Sequence, residues 1–141
     1  MPGSPRYLLD TNIISELRKT KPHGAVLQWF RTLPRDRIAI PAIVIGEIQE
    51  GAELTRKQDK TKAQEIELWL ESVLLHYTIL PMDAEMFREW ARLLSGKSDE
   101  LSGDAMIAAT ARLHGLTVAT RNLRDFASFD VATFNPFTYS A

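Results

Sequence analysis

The sequence predicts an α/β fold in which a five-stranded, mainly parallel sheet lies between two layers of helices. In its 141 residues, short apolar runs of strand length alternate with amphipathic stretches of helical length, an alternation typical of βαβ units. The strand candidates are apolar runs bounded by polar residues, as expected for strands that are covered on both faces. Functional residues are therefore expected at the carboxyl edge of the sheet, where open α/β domains bind their ligands.

The first half of the chain supplies two strands and four helices. The apolar run at residues 6–9 predicts the first strand, and RIAIP at 37–41 predicts the second. Pro41 ends that strand at a position suited to the start of a helix. Apolar residues on one helical face predict the helices of this half, which cover residues 12–19, 23–33, 42–55 and 57–76.

The second half continues the alternation with three strands. The predicted strands cover residues 77–82, 117–120 and 131–136. A helix at 83–94 and a polar connection precede a second helix at 104–115, which Gly115 closes with a residue suited to a C-terminal cap. Residues 121–129 are interpreted as a loop or a helical turn.

Composition limits the function classes. The length predicts one domain over residues 1–141, with residues 1–6 as a flexible leader. The chain has no cysteine, which excludes disulfides, thiolate metal sites and a cysteine nucleophile. The longest apolar stretch is too short to span a bilayer and the start lacks a secretory core, so we expect a cytoplasmic protein without a membrane partner.

Asp10 stands directly after the first predicted strand, in the segment YLLDTN. Because desolvation makes a charge costly, a carboxylate at the end of a buried strand requires a reason. One interpretation is a helix cap, since Asp, Thr and Asn all favour that position. The other is a ligand site at the carboxyl end of a parallel strand. Asp10 alone does not decide between them.

Three further acids fall on or near the same predicted edge. Glu47 lies about two turns into the helix after the second strand, among apolar residues that argue against its facing open water. Asp104 opens the alanine-rich helix at 104–115, where favourable interaction with the helix dipole is the simpler explanation. Asp125 follows the fourth strand, in a segment that is unremarkable when taken alone. The small side chains of the alanine-rich helix are expected to hold Asp104 rigidly against the sheet.

Carboxylates that converge on one edge repel one another unless one is protonated or a cation binds. Oxygen ligands without histidine or cysteine suit Mg²⁺ or Mn²⁺ and argue against zinc. The three histidines are scattered, and none is spaced as a metal ligand with another. The sequence also contains no glycine-rich phosphate loop with a lysine and no G-x-S-x-G serine motif.

Four segments in series resemble the PIN-domain family and, within it, the VapC-type toxins of bacterial toxin–antitoxin pairs. They are LLDTNIISEL, IPAIVIGEIQEG, SGDAMIAATARLHGLTVATRNLRDF and the terminal FNPF. The resemblance extends from Tyr7 to the end of the chain, with these segments in the family's order and spacing. It implies a PIN-like three-layer α/β/α domain and a Mg²⁺- or Mn²⁺-dependent endoribonuclease.

Carried over residue by residue, the resemblance assigns the first three acids to Asp10, Glu47 and Asp104. The fourth polar position falls at Asn122 or at the nearby acid Asp125. Supporting positions around these acids are Thr11, Asn12, Thr120 and Asn122, with Thr11 and Thr120 as hydroxyl contacts to metal-bound water. The implied mechanism is hydrolysis by a metal-activated water, oriented by Glu47 or Asp125, which leaves 5′-phosphate and 3′-hydroxyl ends.

The charge balance is compatible with an RNA substrate. Seventeen basic residues face eighteen acidic ones, for a net charge of −1. Without the four candidate acids, fourteen acidic residues remain against the seventeen basic ones, so the rest of the chain carries +3. Arg121 and Arg124 flank the predicted site and are candidate contacts to RNA phosphates, with solvated surface arginines as the alternative.

The resemblance further implies two protein partners, a cognate VapB-like antitoxin and a second copy of the chain. We expect the homodimer contact on the helices at 25–33 or 66–74. The main alternative function is a non-catalytic PIN-like scaffold that binds RNA or a protein. The three retained acids weigh against that scaffold. A metal-dependent phosphatase would require a second aspartate where Asn12 stands.

Overall fold

The computed structural model describes residues 4–141, so residues 1–3 of the predicted leader lie outside the described part of the chain. Five parallel strands form one sheet in the order β3-β2-β1-β4-β5. This arrangement confirms the predicted α/β class and the parallel sheet. The strands are β1 (Tyr7–Leu9), β2 (Ile38–Pro41), β3 (Thr78–Leu80), β4 (Thr117–Ala119) and β5 (Thr133–Phe134).

Seven helices accompany the sheet in the described residues. They are α1 (Thr11–Arg18), α2 (Gly24–Arg31), α3 (Ala42–Arg56), α4 (Lys60–His76), α5 (Ala84–Leu94), α6 (Ser102–His114) and α7 (Leu123–Phe126). None of the helices in residues 4–141 is long and apolar enough to cross a membrane.

Two helix starts differ from the prediction by two or more residues. The helix α4 begins at Lys60 rather than at residue 57, because the Asp59 carboxylate caps it by accepting a hydrogen bond from the Lys62 N–H at 3.0 Å. The helix α6 begins two residues early, because a 3₁₀ turn at Asp99–Leu101 runs directly into it. Asp104 is therefore the third residue of α6 and does not open the helix.

The central strand β1 and the helix α6 set the geometry of the carboxyl edge. β1 lies between β2 and β4, with Leu8 opposite Ala39 on one side and Val118 on the other. The buried alanines of α6 let this helix approach the sheet closely, as the sequence predicts; they are Ala105, Ala108, Ala109 and Ala111. As a result, the residues that follow β1 and β4 and those that begin α6 meet at one edge.

A candidate acidic active site

Asp10 leaves the central strand and begins α1, so it is both a helix cap and a buried carboxylate. Its Oδ1 accepts the Thr11 N–H at 2.7 Å, in the manner of an N-cap. Its Oδ2 accepts the Thr120 hydroxyl at 2.7 Å and the Asn12 amide at 3.2 Å. Only 5% of Asp10 is exposed. Both sequence interpretations of this residue are therefore compatible with its position.

Burial raises the pKa of Asp10 above its ordinary value, and the hydrogen bonds from Thr120, Thr11 and Asn12 work against that rise. The nearby charge of Asp125 adds to it. A buried carboxylate that accepts three hydrogen bonds and still has a raised pKa stands in surroundings that lack positive charge.

Thr120 and Asn12 join the segment after β4 to the start of α1. The fully buried Thr120 hydroxyl donates to Asp10 and accepts the backbone N–H of Asn122 at 2.9 Å. The Asn12 side chain donates towards the Thr120 hydroxyl at 3.5 Å and accepts the Arg121 N–H at 3.1 Å. Asn122 is exposed and joins this network through its backbone N–H.

Glu47 reaches the same edge from α3. Its Oε1 accepts the Thr11 hydroxyl at 2.9 Å. The residue is exposed to solvent, in contrast to the expectation from its apolar sequence neighbours. Even so, the protein atoms around its carboxylate raise its pKa, and the charge of Asp10 adds to the rise. A Cβ placed on Gly103 would lie 3.8 Å from the Glu47 Oε2, so the first turn of α6 faces this carboxylate without an intervening side chain.

Asp104 is half-buried in the first turn of α6 and is influenced by the other three acids. Its pKa is raised to about 6, first by desolvation and then by the charges of Asp10, Asp125 and Glu47, in that order. Asp125, on the short helix α7, raises the pKa of both Asp10 and Asp104. The structure thus brings all four predicted acids into one electrostatic group, which we call the acidic cluster.

The acidic cluster contains no internal cation. Within residues 4–141, the ion pairs of Lys, Arg and His involve other carboxylates. In the same part of the chain, no group of three or more His, Asp or Glu side chains is arranged so that it could hold a metal ion by itself. An ion bound here would therefore take water or substrate oxygens to complete its coordination. That arrangement is typical of Mg²⁺, which keeps several waters and takes one or two carboxylates.

Two aromatic side chains next to this edge had no role in the sequence prediction. The Arg121 guanidinium lies 4.3 Å from the ring centroid of Phe137, and the Phe137 ring lies 5.0 Å from that of His23. The FNPF segment was noted in the sequence only as part of a resemblance, since a stack between residues so far apart in the chain has no local signal. Arg124 is exposed on α7.

Comparison with known proteins gives one family over most of the chain. The family model described as PIN domain matches residues 7–132. The toxin FitB of Neisseria gonorrhoeae is 36% identical over 137 residues, covering 92% of this chain and 97% of FitB. The VapC ribonuclease Y4jK of Sinorhizobium fredii is 34% identical over 138 residues, covering 92% of this chain and 96% of that protein.

Solved structures give the same result. The crystal structure of FitAcB from Neisseria gonorrhoeae matches with a TM-score of 0.82 at 34% identity, covering 94% of this chain and 99% of that one. A structure of FitAB bound to a DNA fragment matches with a TM-score of 0.82 at 33% identity, covering 96% of this chain and 98% of that one. A toxin–antitoxin complex from Klebsiella pneumoniae matches with a TM-score of 0.66 at 26% identity, covering 96% and 99% of the two chains.

Proposed function

We propose that this chain, which belongs to the PIN-domain family and within it to the VapC-type toxins, is a metal-dependent endoribonuclease controlled by an antitoxin. The observation that carries the proposal is the acidic cluster. Four carboxylates from distant parts of the sequence converge, and their charges help to raise the pKa values of Asp10, Glu47 and Asp104. None of the four forms an ion pair within residues 4–141. Such an arrangement costs stability, and a bound cation would relieve that cost.

The relatives support an RNA substrate and an antitoxin partner for this chain. A curated relative is named as a ribonuclease, and matched structures include toxin–antitoxin complexes, several of them bound to DNA. We propose an RNA substrate and a VapB-like antitoxin for this chain on that basis. The antitoxin would present a basic side chain to the acidic cluster.

A homodimer belongs to the same proposal. Of the two helices predicted for that contact, α2 buries its apolar residues Val26 and Trp29 in the core. The helix α4 instead exposes Leu68 at 67% and Leu74 at 47%, and the next residue, Leu75, at 83%. We therefore place the proposed contact on α4 and not on α2.

The carboxylate oxygens of the acidic cluster are ligands that suit Mg²⁺ or Mn²⁺. Asp10, Glu47 and Asp104 would hold the ion directly or through water, with Asp125 nearby. When bound, such an ion would polarise the scissile phosphate and lower the pKa of a water. Thr120 and Asn12 fix Asp10 by their hydrogen bonds, and Thr11 fixes Glu47. Glu47 or Asp125 would accept a proton from the attacking water. In-line attack would then leave 5′-phosphate and 3′-hydroxyl ends.

The test of the proposed reaction is cleavage of a mixed pool of single-stranded RNA. Purified protein stripped of metal should be inactive in excess EDTA and recover with Mg²⁺ or Mn²⁺. The products should be open to ligation at a 5′-phosphate. Undiminished cleavage in EDTA would overturn the metal mechanism.

A second test concerns the biological role. Expression of the chain alone should arrest growth, and co-expression of its antitoxin should relieve the arrest. Normal growth with abundant metal-loaded protein that binds RNA without cutting it would replace the nuclease with a non-catalytic scaffold.

A further inference from the structure

Three side chains beside the acidic cluster form a small cationic and aromatic group, which we call the aromatic platform. It consists of Arg121, Phe137 and His23, with the Arg121 guanidinium 4.3 Å from the centroid of the Phe137 ring and the His23 ring 5.0 Å from that centroid. The planes of the two rings are inclined by 55°. Arg121 and His23 are exposed, and Phe137 is half-buried behind them.

The backbone N–H of each member of the platform donates a hydrogen bond to a side chain of another residue. The Arg121 N–H donates to the Asn12 Oδ1 at 3.1 Å. The Phe137 N–H donates to the Asn135 Oδ1 at 3.0 Å, within the 3₁₀ turn Pro136–Thr138 that packs against α2. The His23 N–H donates to the carboxylate of Glu16 at 2.9 Å, and Glu16 is buried. The group is therefore preorganised in the protein alone.

The platform is connected directly to the acidic cluster. Asn12 accepts a hydrogen bond from the Arg121 backbone and donates one to the Asp10 Oδ2 at 3.2 Å. The Asn12 side chain thus links the Arg121 backbone to Asp10, the most buried carboxylate of the cluster, through two hydrogen bonds. A nucleotide bound with its phosphate at the acidic cluster would have its neighbouring base within reach of this surface.

The charge of Arg121 is available to a ligand. Arg121 forms no salt bridge within the described residues 4–141. Its guanidinium lies over the Phe137 ring instead, at 4.3 Å from the ring centroid, and the residue is exposed to solvent. Guanidinium planes and aromatic rings are the surfaces on which proteins stack unpaired RNA bases.

We propose that the aromatic platform binds one unpaired nucleobase of the RNA substrate beside the scissile phosphate. The base stacks on the outer face of Arg121, Phe137 supports the arginine from behind, and His23 closes the side of the site. This assignment rests on the proposed ribonuclease function and adds to it the residues that bind a base beside the scissile phosphate. A base held within a duplex could not enter such a stack.

The test measures binding separately from cleavage. Single-stranded RNAs of mixed sequence that carry 2-aminopurine are titrated into full-length Asp104→Asn protein, which is expected not to cleave them. Stacking quenches the fluorescence of 2-aminopurine. Phe137→Leu and Arg121→Lys should each weaken binding roughly five- to 150-fold and lose the quenching. Arg121→Lys removes the plane on which the base stacks, and Phe137→Leu removes the ring that holds this plane in position. Phe137→Tyr should keep both.

Matched controls lie elsewhere on the protein. Arg35 lies over the Tyr77 ring at 5.6 Å, just before β2 and thus at the opposite edge of the sheet, and Phe87 is 45% exposed on α5. Arg35→Lys and Phe87→Leu make the same chemical changes there and should leave binding unchanged. Melting temperatures of all variants identify any loss of affinity that comes from unfolding.

Salt dependence separates the charge of Arg121 from its planar shape. Arg121→Lys should retain the salt slope of binding, whereas Arg121→Gln should reduce it by about 0.7. If folded Phe137→Leu and Arg121→Lys bind as tightly as the parent with full quenching, the platform assignment is wrong, and cleavage by the parent would still support the nuclease. If the parent itself neither binds nor cleaves RNA, the proposed function fails and this assignment fails with it.

Discussion

Acidic side chains lie at both ends of helix α6, but those at one end are paired with arginines and those at the other end are not. At its first turn, Asp104 lies among three other acids and has a pKa raised to about 6. Near its last turn, Arg112 binds Glu89 at 2.9 Å and Asp130 at 3.3 Å. The hydrogen bond from Arg112 lowers the pKa of Glu89, with a further contribution from Arg92. Eight residues separate Asp104 from Arg112, so the two groups are roughly 12 Å apart along the helix.

The difference is between carboxylates that are neutralised by arginines of the same chain and carboxylates that are not. The carboxylate of Glu89 is neutralised by arginines of the same chain, so folding completes that group. The acidic cluster has no such partner within residues 4–141. Removing a charge should therefore have opposite effects on stability at the two ends of one helix. Asp104→Asn, Glu89→Gln and the pH dependence of stability test this expectation, and Thr120→Val and Asp130→Asn extend it to neighbouring contacts.

The largest expected effect is that of Asp104→Asn. The amide keeps the shape of the side chain and removes one of four repelling charges, so the metal-free variant should melt at the parent's temperature or above it. Cleavage of RNA should fall by at least about a hundredfold. Added Mg²⁺ should raise the melting temperature of the parent more than that of the variant, because only a bound ion stabilises by linkage.

Glu89→Gln is the matched control at the other end of α6. It makes the same change of carboxylate to amide but weakens the hydrogen bonds to Arg112 and Arg92. This variant should lose about 1 kcal/mol of unfolding free energy and cleave RNA like the parent. If Asp104→Asn instead lowered the metal-free melting temperature and remained active, Asp104 would be a helix-dipole residue only.

Thr120→Val should have the next largest effect. The substitution preserves the shape of the buried side chain but removes the donor to Asp10 and the acceptor of the Asn122 N–H. We expect cleavage to fall roughly 10- to 100-fold and stability to fall by about 1–3 kcal/mol. Thr120→Ser restores the hydroxyl and should recover most of the activity, as measured by cleavage rates and thermal melts. Full activity in the valine variant would remove Thr120 from the site.

The pH dependence of stability should have opposite signs at the two ends of α6. The raised pKa of Asp104 means that the folded, metal-free protein holds this proton more tightly than the unfolded chain, whose pKa is near 3.8. The favourable contribution of Asp104 to the free energy of unfolding is fully present below about pH 4, and it is lost as the pH rises through about 6. The lowered pKa of Glu89 contributes stability above its ordinary value of 4.5, and that stability is lost as the pH falls.

Melting the parent and both variants in EDTA across this range measures the two contributions. The melting temperature of Asp104→Asn should rise relative to that of the parent as the pH increases from about 4 to about 7. The difference by which Glu89→Gln melts below the parent should become smaller below about pH 4. Parallel curves for the parent and Asp104→Asn would show that the acidic cluster does not destabilise the metal-free fold.

The smallest effect is expected for Asp130→Asn. The Asp130 side chain is fully exposed, so its ion pair with Arg112 is screened by water. Its backbone is left-handed at φ 49°, a conformation that asparagine also adopts readily. Thermal melts and cleavage rates should match those of the parent. A clear loss of stability would mean that the Arg112 group depends on this exposed partner.

The sequence predicted those parts of the fold and site that have a local signal. Apolar runs located all five strands, and the acid after β1 marked the carboxyl edge. The start of α6 was placed two residues late, because the 3₁₀ turn before it contains the polar residues Asp99 and Glu100, which resemble a loop. The exposure of Glu47 and the contact between Arg121 and Phe137 depend on how distant elements pack, and no local pattern carries that information.

The position of β1 in the middle of the sheet affects when during synthesis the site can form. Asp10 is synthesised well before its buried hydrogen-bond donor Thr120, which follows β4, the strand that covers the second edge of β1. Asp104 and Asp125 also belong to the last third of the chain. A ribosome-bound chain that ends before residue 117 therefore has β1 as a bare edge and an incomplete acidic cluster. The acidic cluster therefore cannot assemble until the chain has been synthesised through Asp125.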